Sequence, residues 1–584
     1  MDKDTLEPIV EELKYDNKSL NNLENKLIKS NSSEESKILF RYPTIYIVND
    51  KMAKGNSYSV YVGETNDIKR RTSEHLQIDT RNDDFWKSIK DSTNAEMFLI
   101  GHNHFNKSLT LDIENRLMHY MSGIESVQTL SNKRTNQQDE YYTSNELDDI
   151  FDKVWAELRL KKGSLFPPIN VIKDSAIFKS SPFQKLTLEQ FKAKDEIIAK
   201  IEESINNEKK DSKLILVTGE AGTGKTVLLS NLFYELFKLS SDDSDNVILR
   251  GKTETLLVNH DEQVKVYEQI AKKLGMSDKN NPTMVGKPTK FINNHSSEDK
   301  VDILLVDEAH LLWTQGKQSY RGKDQLQDLL ERAKVVVIVF DPHQILTTEE
   351  YKSDDEIHKM ILDASSHNNL VRLENQMRIH GNDNTVQWIR ELIDNSRIKD
   401  IPTDNKFDLK IMDSAEELYS AIKIKSKNEQ NGISRVLATF DWKYINGKKD
   451  ENNDLWKVTV GDFSLPWNLQ LPSKGKNKLL PWAEQEQTID EVGSTFTIQG
   501  FDLNYAGVII GPSVKYRNGK IIFDKTASMN KKATRKRNGK IDNSKDFLKN
   551  ELNVLLTRGV NGLYIYAVDE ELQKKLLEAQ KGLI

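Results

Sequence analysis

Two short runs near the N-terminus, YPTIYIV (42–48) and SYSVYVG (57–63), are rich in β-branched and aromatic residues and are separated by a polar Lys/Gly/Asn segment. That pattern predicts a hairpin, and helical spacing after Asp67 and after Ser108 extends it into a small α/β domain over 40–165. The Phe166-Pro167-Pro168 break then predicts a linker over 166–183. From 184 to 370, apolar runs LILVTG (214–219), NVILRG (246–251), VDILLVDE (301–308) and VVVIVFD (335–341) alternate with helical stretches. Strands alternating with helices predict βαβ units and a parallel sheet. The theme repeats over 371–584 with SRVLATF (434–440), YAGVIIG (505–511) and GLYIYAV (562–568), interrupted by polar insertions around 443–480 and 515–546. Two such lobes imply a cleft between them. Residues 1–39 are charged and Asn/Ser-rich, too poor in apolar residues to predict a core, and read as a flexible arm.

Composition changes this picture little. At 584 residues, a prior of roughly 150 residues per domain suggests about four domains. With 37% hydrophobic and 30% charged residues the chain reads as globular, and no apolar stretch approaches the roughly 20 residues that span a bilayer. The N-terminus lacks the basic and apolar regions of a signal peptide, so a cytoplasmic location without membrane contact is expected. The absence of cysteine excludes disulfides, thiolate metal sites and cysteine nucleophiles. A net charge of −6 does not advertise nucleic acid, so basic evidence has to be local. The densest basic run is Lys531-Lys532-Ala533-Thr534-Arg535-Lys536-Arg537, readable equally as a solvated loop or as a phosphate contact. Trp442, Tyr444 and Trp482 are readable either as base-stacking groups or as core.

Chemistry begins at Gly219-Glu220-Ala221-Gly222-Thr223-Gly224-Lys225-Thr226, which satisfies GxxxxGK[ST] between a strand and a helix. Backbone N–H groups of such a loop wrap phosphates, Lys225 reaches the terminal phosphates and Thr226 binds Mg²⁺. The expected cofactors are therefore ATP and Mg²⁺. VDILLV ends in Asp307-Glu308-Ala309-His310, two carboxylates at the carboxyl edge of a buried strand. Asp307 is expected to hold Mg²⁺ and Glu308 to act as base toward the attacking water.

These motifs, with those that follow, resemble superfamily 1 helicases, particularly the prokaryotic helicase-like proteins related to the helicase part of Schlafens, over about 184–570. Leu186-Thr187-Leu188-Glu189-Gln190 looks like the Q motif, which implies that Gln190 reads adenine. Asp341-Pro342-His343-Gln344 is similar to GDxxQ with Phe340 in place of glycine, and implies a sensor role for Gln344. Leu373-Glu374-Asn375-Gln376-Met377-Arg378 resembles motif IV, Thr495 to Asp502 resembles motif V with Asp for Glu, and Asn553 to Arg558 resembles motif VI. The resemblance implies two RecA-like parallel-sheet lobes, with Arg378 and Arg558 as arginine fingers in the cleft.

At the N-terminus, Thr44-Ile45-Tyr46 and Tyr61-Val62-Gly63 resemble the GIY-YIG nuclease signature. Arg71 and His75 share a helix face at i,i+4, and Leu111 to Leu117 carries Glu114. The resemblance implies Arg71 as the catalytic arginine, His75 as its partner, Glu114 as the metal ligand for Mg²⁺ or Mn²⁺, and Asn132 or Asn136 as the late asparagine. Tyr61 would be the base-side group, supported by Tyr46. Thr44 stands where the family has glycine, and Glu64 where some members carry lysine.

The expected whole is an α/β chain, a small GIY-YIG-like domain followed by two RecA-like lobes, acting as an ATP-dependent nuclease-helicase on DNA in defence against foreign DNA or in repair. The alternatives are an ATP-dependent nucleic-acid sensor without unwinding and an RNA-directed nuclease. Protein partners and homo-oligomerisation are left open.

Overall fold

A computed structural model describes the chain except residues 1–6, 31, 53–56, 78–83, 133–140, 208–213, 278–283, 318, 377, 428–432, 474–479 and 538–540. The chain divides into two compact units, Met1–Lys185 with Val266–Met284, and Leu186–Lys265 with Val285–Ile584.

The first unit is built on five strands, β1 (Ile9–Lys14), β2 (Thr44–Lys51), β3 (Tyr58–Thr65), β4 (Glu96–Gly101) and β5 (Val127–Leu130), in the order β1-β4-β2-β3-β5. β2 and β3 form the expected antiparallel hairpin, in a register that sets Tyr46 opposite Gly63 and Tyr61 opposite Val48. Helices Ile68–Gln77 and Lys107–Ser122 follow where the apolar spacing placed them.

The N-terminal segment is folded rather than a loose arm. β1 pairs antiparallel with β4 across six positions, and Asp16 caps the helix Asn17–Lys29 by accepting from Ser19 N at 2.6 Å. Leu20 and Leu27, two turns apart, bury that helix against the unit's core. Few apolar residues suffice because the segment adds to an existing core instead of building one. The stretch 166–183 is likewise packed and not a free linker. Phe166 is fully buried against Phe98 and Trp155 at 5.3 and 5.5 Å, and the Phe178 ring stacks on His119 at 3.8 Å.

The second unit holds two parallel sheets. The first joins β6 (Leu214–Gly219), β7 (Glu254–Val258), β8 (Val285–Gly286), β9 (Val301–Asp307), β10 (Ala333–Phe340) and β11 (Leu370–Leu373) in the order β11-β6-β10-β9-β7-β8. β10 is buried at all but one of its eight positions and reads as a continuous apolar run, as a strand covered on both faces must. NVILRG is not a strand. Asn246 Oδ1 accepts from Ile248 N and Leu249 N at 3.1 and 2.9 Å, closing a turn, and the strand starts later at Glu254. β11 places the end of this sheet at Leu373, past the expected boundary at 370.

The second sheet joins β12 (Asp408–Ile411), β13 (Ser434–Ala438), β16 (Val492–Gly493), β17 (Leu503–Ile510) and β20 (Gly559–Ala567) in the order β12-β20-β17-β13-β16. The insertions form two hairpins, β14 (Lys457–Val460) with β15 (Phe463–Pro466), and β18 (Val514–Arg517) with β19 (Lys520–Phe523). The architecture is thus mixed α/β with two RecA-like parallel-sheet lobes. Among the described residues, no helix is long and apolar enough to cross a membrane.

Candidate functional site

β6 delivers the phosphate loop at its carboxyl end, and the helix Lys225–Ser240 starts directly behind it. Gly222 and Gly224 have φ of +92° and +74°, conformations that L side chains rarely adopt, which is why the loop needs glycine there. Lys225 is buried and donates through Nζ to Gly219 O and Glu220 O, both at 2.7 Å, with Asp341 Oδ2 at 3.4 Å. Thr226 is the second residue of the helix. Gln190 closes a capping box with Thr187, and its Nε2 donates to Thr223 O at 3.1 Å. Both ends of its amide thus hold backbone, Oε1 accepting from Thr187 N at 3.0 Å at its own helix cap and Nε2 bracing the loop.

Asp307, fully buried at the end of β9, accepts from Glu308 N at 3.0 Å. Glu308 adopts φ of +49°, a costly turn for a non-glycine residue of the kind that gathers at functional sites. Its Oε2 lies 3.1 Å from His310 Nε2. Burial lowers the pKa of His310. At the end of β10, Asp341 is held low, to about 2, by Lys225 and His310 against the cost of burial. Gln344 Nε2 donates to Asp341 Oδ2 at 2.8 Å, while its Oε1 accepts from Arg558 Nη2 at 3.3 Å. Gln499 Nε2 stands 3.2 Å from His310 Nε2 and donates to Gln344 O at 3.4 Å. A continuous polar chain therefore links Lys225 in the first lobe to Arg558 and Gln499 in the second.

Arg378 completes the cleft. A Cβ on Gly222 would fall 2.7 Å from Arg378 Cβ, so the arginine lies directly against the loop. Its Nε is 2.5 Å from Asp502 Oδ1, and its Nη1 is buried without a hydrogen-bond partner among the described residues. Burial, then the neighbouring Arg378, push Arg558 down to about 9. Two crowded guanidiniums beside a ring of backbone N–H groups favour a polyanion, and the site fits a nucleoside triphosphate. Thr226 and Asp307 are the residues that could hold its cation. Sequence reasoning assigned no role to Glu189, whose carboxylate anchors Glu374 N at 2.7 Å and Asn375 Nδ2 at 2.8 Å just ahead of Arg378. Nor did it assign roles to His310 and Gln499, although both stand inside the quoted motifs.

In the first unit, Tyr46 and Tyr61 stack with ring centroids 5.8 Å apart. Arg71 lies close enough for its charge to lower the pKa of both tyrosines against the cost of burial, and its Nη1 pairs with Glu74 Oε2 at 3.4 Å. Tyr46 Oη is 3.4 Å from His75 Nε2, and burial followed by the Arg71 charge pushes His75 down to about 4. Burial raises Tyr61, and Glu114 is close enough to add to that rise. Buried Glu114 accepts from Asn132 Nδ2 at 2.8 Å, and the same amide donates to Val62 O at 2.7 Å. Asn132 thus ties the carboxylate to β3, whereas Asn136 lies outside the described residues. Among the described residues no three His, Asp or Glu side chains converge as a metal cage, and Glu114 is the residue that could hold a cation here. Trp86, which no motif signalled, stacks on His75 at 3.7 Å and 15° and backs Tyr61 at 4.7 Å. Thr44, in the glycine position, is buried and donates to Thr65 O at 3.3 Å across the hairpin.

Of the aromatic residues weighed as stacking groups, Trp482 is core, with its Nε1 donating to Glu491 Oε2 at 3.2 Å. Trp442 and Tyr444 are tied to backbone carbonyls of the first insertion, Thr459 O and Asn468 O.

Residues 212–569, more than half of the chain, match the family described as Schlafen group 3, DNA/RNA helicase domain. The chain belongs to that family. A Saccharomyces cerevisiae relative, described as uncharacterized protein YPL245W, is 35% identical over 436 residues, covering 68% of this chain and 91% of the relative. Membership in this Schlafen family makes the two-lobed unit a helicase-type, nucleic-acid-acting domain.

Proposed function

We propose that the chain is an ATP-dependent nuclease-helicase acting on DNA, in which the two-lobed unit hydrolyses ATP to translocate or remodel the strand and the N-terminal unit cuts it. The observation that carries the nuclease half is the convergence of Tyr46, Tyr61, Arg71 and His75 on one side of a hairpin whose other contact is Glu114 through Asn132. Cutting coupled to movement suits defence against foreign DNA, or repair.

In the motor, Lys225 exchanges the carbonyls of Gly219 and Glu220 for the terminal phosphates. Glu308 takes the proton of the attacking water, and Arg378 and Arg558 stabilise charge on the transferring phosphoryl group. Mg²⁺ held by Thr226 and Asp307 would neutralise phosphate charge. Because Arg558 reaches Gln344, and Gln344 reaches Asp341 beside Lys225, a change at the phosphates is passed to the second lobe through side chains already in contact.

In the nuclease, a divalent cation on Glu114 would polarise the scissile phosphate. The resting Tyr61 hydroxyl is protonated, because burial raises its pKa. It accepts the proton of the attacking water only as it hands its own to Tyr46 and Tyr46 passes its own to Nε2 of neutral His75, 3.4 Å from the Tyr46 hydroxyl. Arg71, whose charge acts on both tyrosines, faces the charge that develops on phosphorus.

The test is cleavage of double-stranded, single-stranded and branched DNA and of RNA with Mg²⁺ or Mn²⁺, with and without ATP. Glu114→Ala is expected to abolish cleavage and keep ATP hydrolysis, and Lys225→Ala to abolish hydrolysis. ATP turnover indifferent to every nucleic acid would refute the motor, and cleavage untouched by Glu114→Ala would refute the nuclease.

A further inference from the structure

Resting on the motor reading, we infer that the basic segment Lys531–Arg537, together with Lys317 and Phe496, forms a contact site for a single strand of nucleic acid, the cations taking phosphates and Phe496 a base.

The segment comes from the second lobe's insertion but is fastened to the first lobe. Asn530 caps the turn Lys531–Thr534 through Ala533 N at 3.3 Å, and Ala533 is buried. Thr348 donates to Lys532 O from its N at 3.1 Å and from its Oγ1 at 2.9 Å, and to Arg535 O at 3.2 Å. Arg537 donates to Thr314 O at 3.2 Å and to Tyr351 O at 2.5 Å. The backbone is therefore held while the side chains of Lys531, Lys532, Arg535 and Lys536 remain exposed. A solvated loop would not be fixed at so many points.

Arg535 and Lys536 line a cleft of about 420 Å³ together with Lys317, Thr348, Glu349 and Arg537. The carboxylate facing them is Glu349, which pairs with Arg535 and lies 3.8 Å from Lys317. Glu350, next in the chain and half-buried, is pushed up to about 7 by burial, so at neutral pH it supplies less compensating charge than an ordinary carboxylate. Burial, then the charge of Lys532, lower the pKa of Lys317, as expected of an ammonium held among like charges. An arriving phosphodiester relieves that repulsion, and Glu349 occupies its place meanwhile.

Phe496 supplies the second element. It is 36% exposed on the short helix Thr495–Ile498, and Lys532 Nζ lies 5.0 Å from its ring centroid. An exposed aromatic flanked by cations is what non-sequence-specific single-strand binding requires. The residue after that helix is Gln499, which touches His310 and Gln344 in the ATP cleft, so a base on Phe496 sits one helical turn from the hydrolysis relay.

The experiment is fluorescence anisotropy of the full chain with a labelled single-stranded oligonucleotide across a salt series, comparing wild type, the double variant R535Q/K536Q and Phe496→Ala. Removing one cation that meets a phosphate lowers the slope of log K against log salt by about 0.7, so the double variant is expected to show a slope smaller by about 1.4. Phe496→Ala is expected to weaken binding roughly 5- to 100-fold with the slope unchanged. Arg535 and Lys536 have exposed side chains, so melting should match wild type and exclude misfolding. Wild-type slope and affinity in both variants would overturn the site while leaving the motor standing; no strand binding by wild type would overturn both.

Discussion

Gly63→Ala is the smallest change that tests whether the stacked tyrosines form a cutting centre. Gly63 sits opposite Tyr46 in the hairpin, and a Cβ there would lie 2.7 Å from Tyr46 Cζ, from Tyr46 Oη and from Tyr61 Cε1. Ordinary carbon contacts begin near about 3.5 Å, so both rings would have to move by close to ~1 Å. Neither ring has room: Tyr46 is fully buried, and Tyr61 is backed by Trp86 at 4.7 Å and Phe85 at 6.0 Å. Overpacking of this kind costs about 1–3 kcal/mol, which at about 2–4 °C per kcal/mol lowers the melting of a unit this size by several degrees. The larger consequence is geometric, because a displacement of about 1 Å at reacting groups costs about 100-fold in rate. Cleavage and ATP hydrolysis are measured on the same preparation, so ATPase activity reports whether the second unit is intact. Tyr61→Phe serves as the partner variant, since it keeps the ring and removes only the hydroxyl. The expected result is loss of cleavage in both variants, lowered melting in Gly63→Ala alone, and unchanged ATPase. Gly63→Ala with wild-type cleavage would refute the assignment of the pair.

In the motor, Arg378→Ala and Arg558→Lys should each reduce single-turnover ATP hydrolysis about 10³-fold or more while a fluorescent nucleotide still binds; hydrolysis within about tenfold of wild type would remove them as fingers. His119, buried against Phe178, is pushed down to about 4 by burial, so the folded state resists a proton that the unfolded chain binds below pH 6.5. The sign follows: stability falls as pH drops from about 6.5 toward 4, by up to about 3 kcal/mol, and His119→Phe should flatten the acid limb of urea midpoints against pH. Glu551 is the opposite case, raised to about 8 by burial and by Asp441, so its contribution is lost as pH rises from 4.5 through 8; Glu551→Gln, which keeps the acceptor for Phe440 N, should level that alkaline limb.

Much of the fold was legible because its strands carry their burial in sequence. VDILLVD and the run ending in Phe340 are apolar on both faces, and only a parallel sheet covered by helices accounts for that. What misled was local composition without tertiary context. NVILRG has strand residues, yet Asn246 folds its own backbone into a turn before any partner strand can pair with it. The N-terminal forty residues look too polar to fold, but Leu20, Leu27 and Leu39 dock on a core assembled by later strands, and no window of sequence contains both sides of that contact.

The candidate sites divide in the same way. Residues inside a motif, such as Arg71, Lys225 and Arg558, could be named because spacing along one element fixes them. Residues that hold those groups in place come from elsewhere in the chain. Glu189 anchors the approach to Arg378 from 185 residues away, Trp86 stacks on His75 from a separate helix, and Thr348 fastens the basic run 184 residues downstream. Each is an ordinary residue type in an ordinary local pattern, and its role exists only in the contact. The basic run shows how far this matters: its sequence suits a solvated loop as well as a phosphate contact, and what separates the two is Thr348 holding its backbone still. A charge that is already positioned loses less conformational freedom when it binds, so the fastening itself contributes to affinity. Thr348→Val, which removes the two bonds from Oγ1 and keeps the one from N, should therefore weaken single-strand binding without changing its salt slope, because the number of phosphates met stays the same while the cost of ordering the cations rises. A Thr348→Val protein with unaltered affinity would show that the cations bind equally well from a loosened backbone.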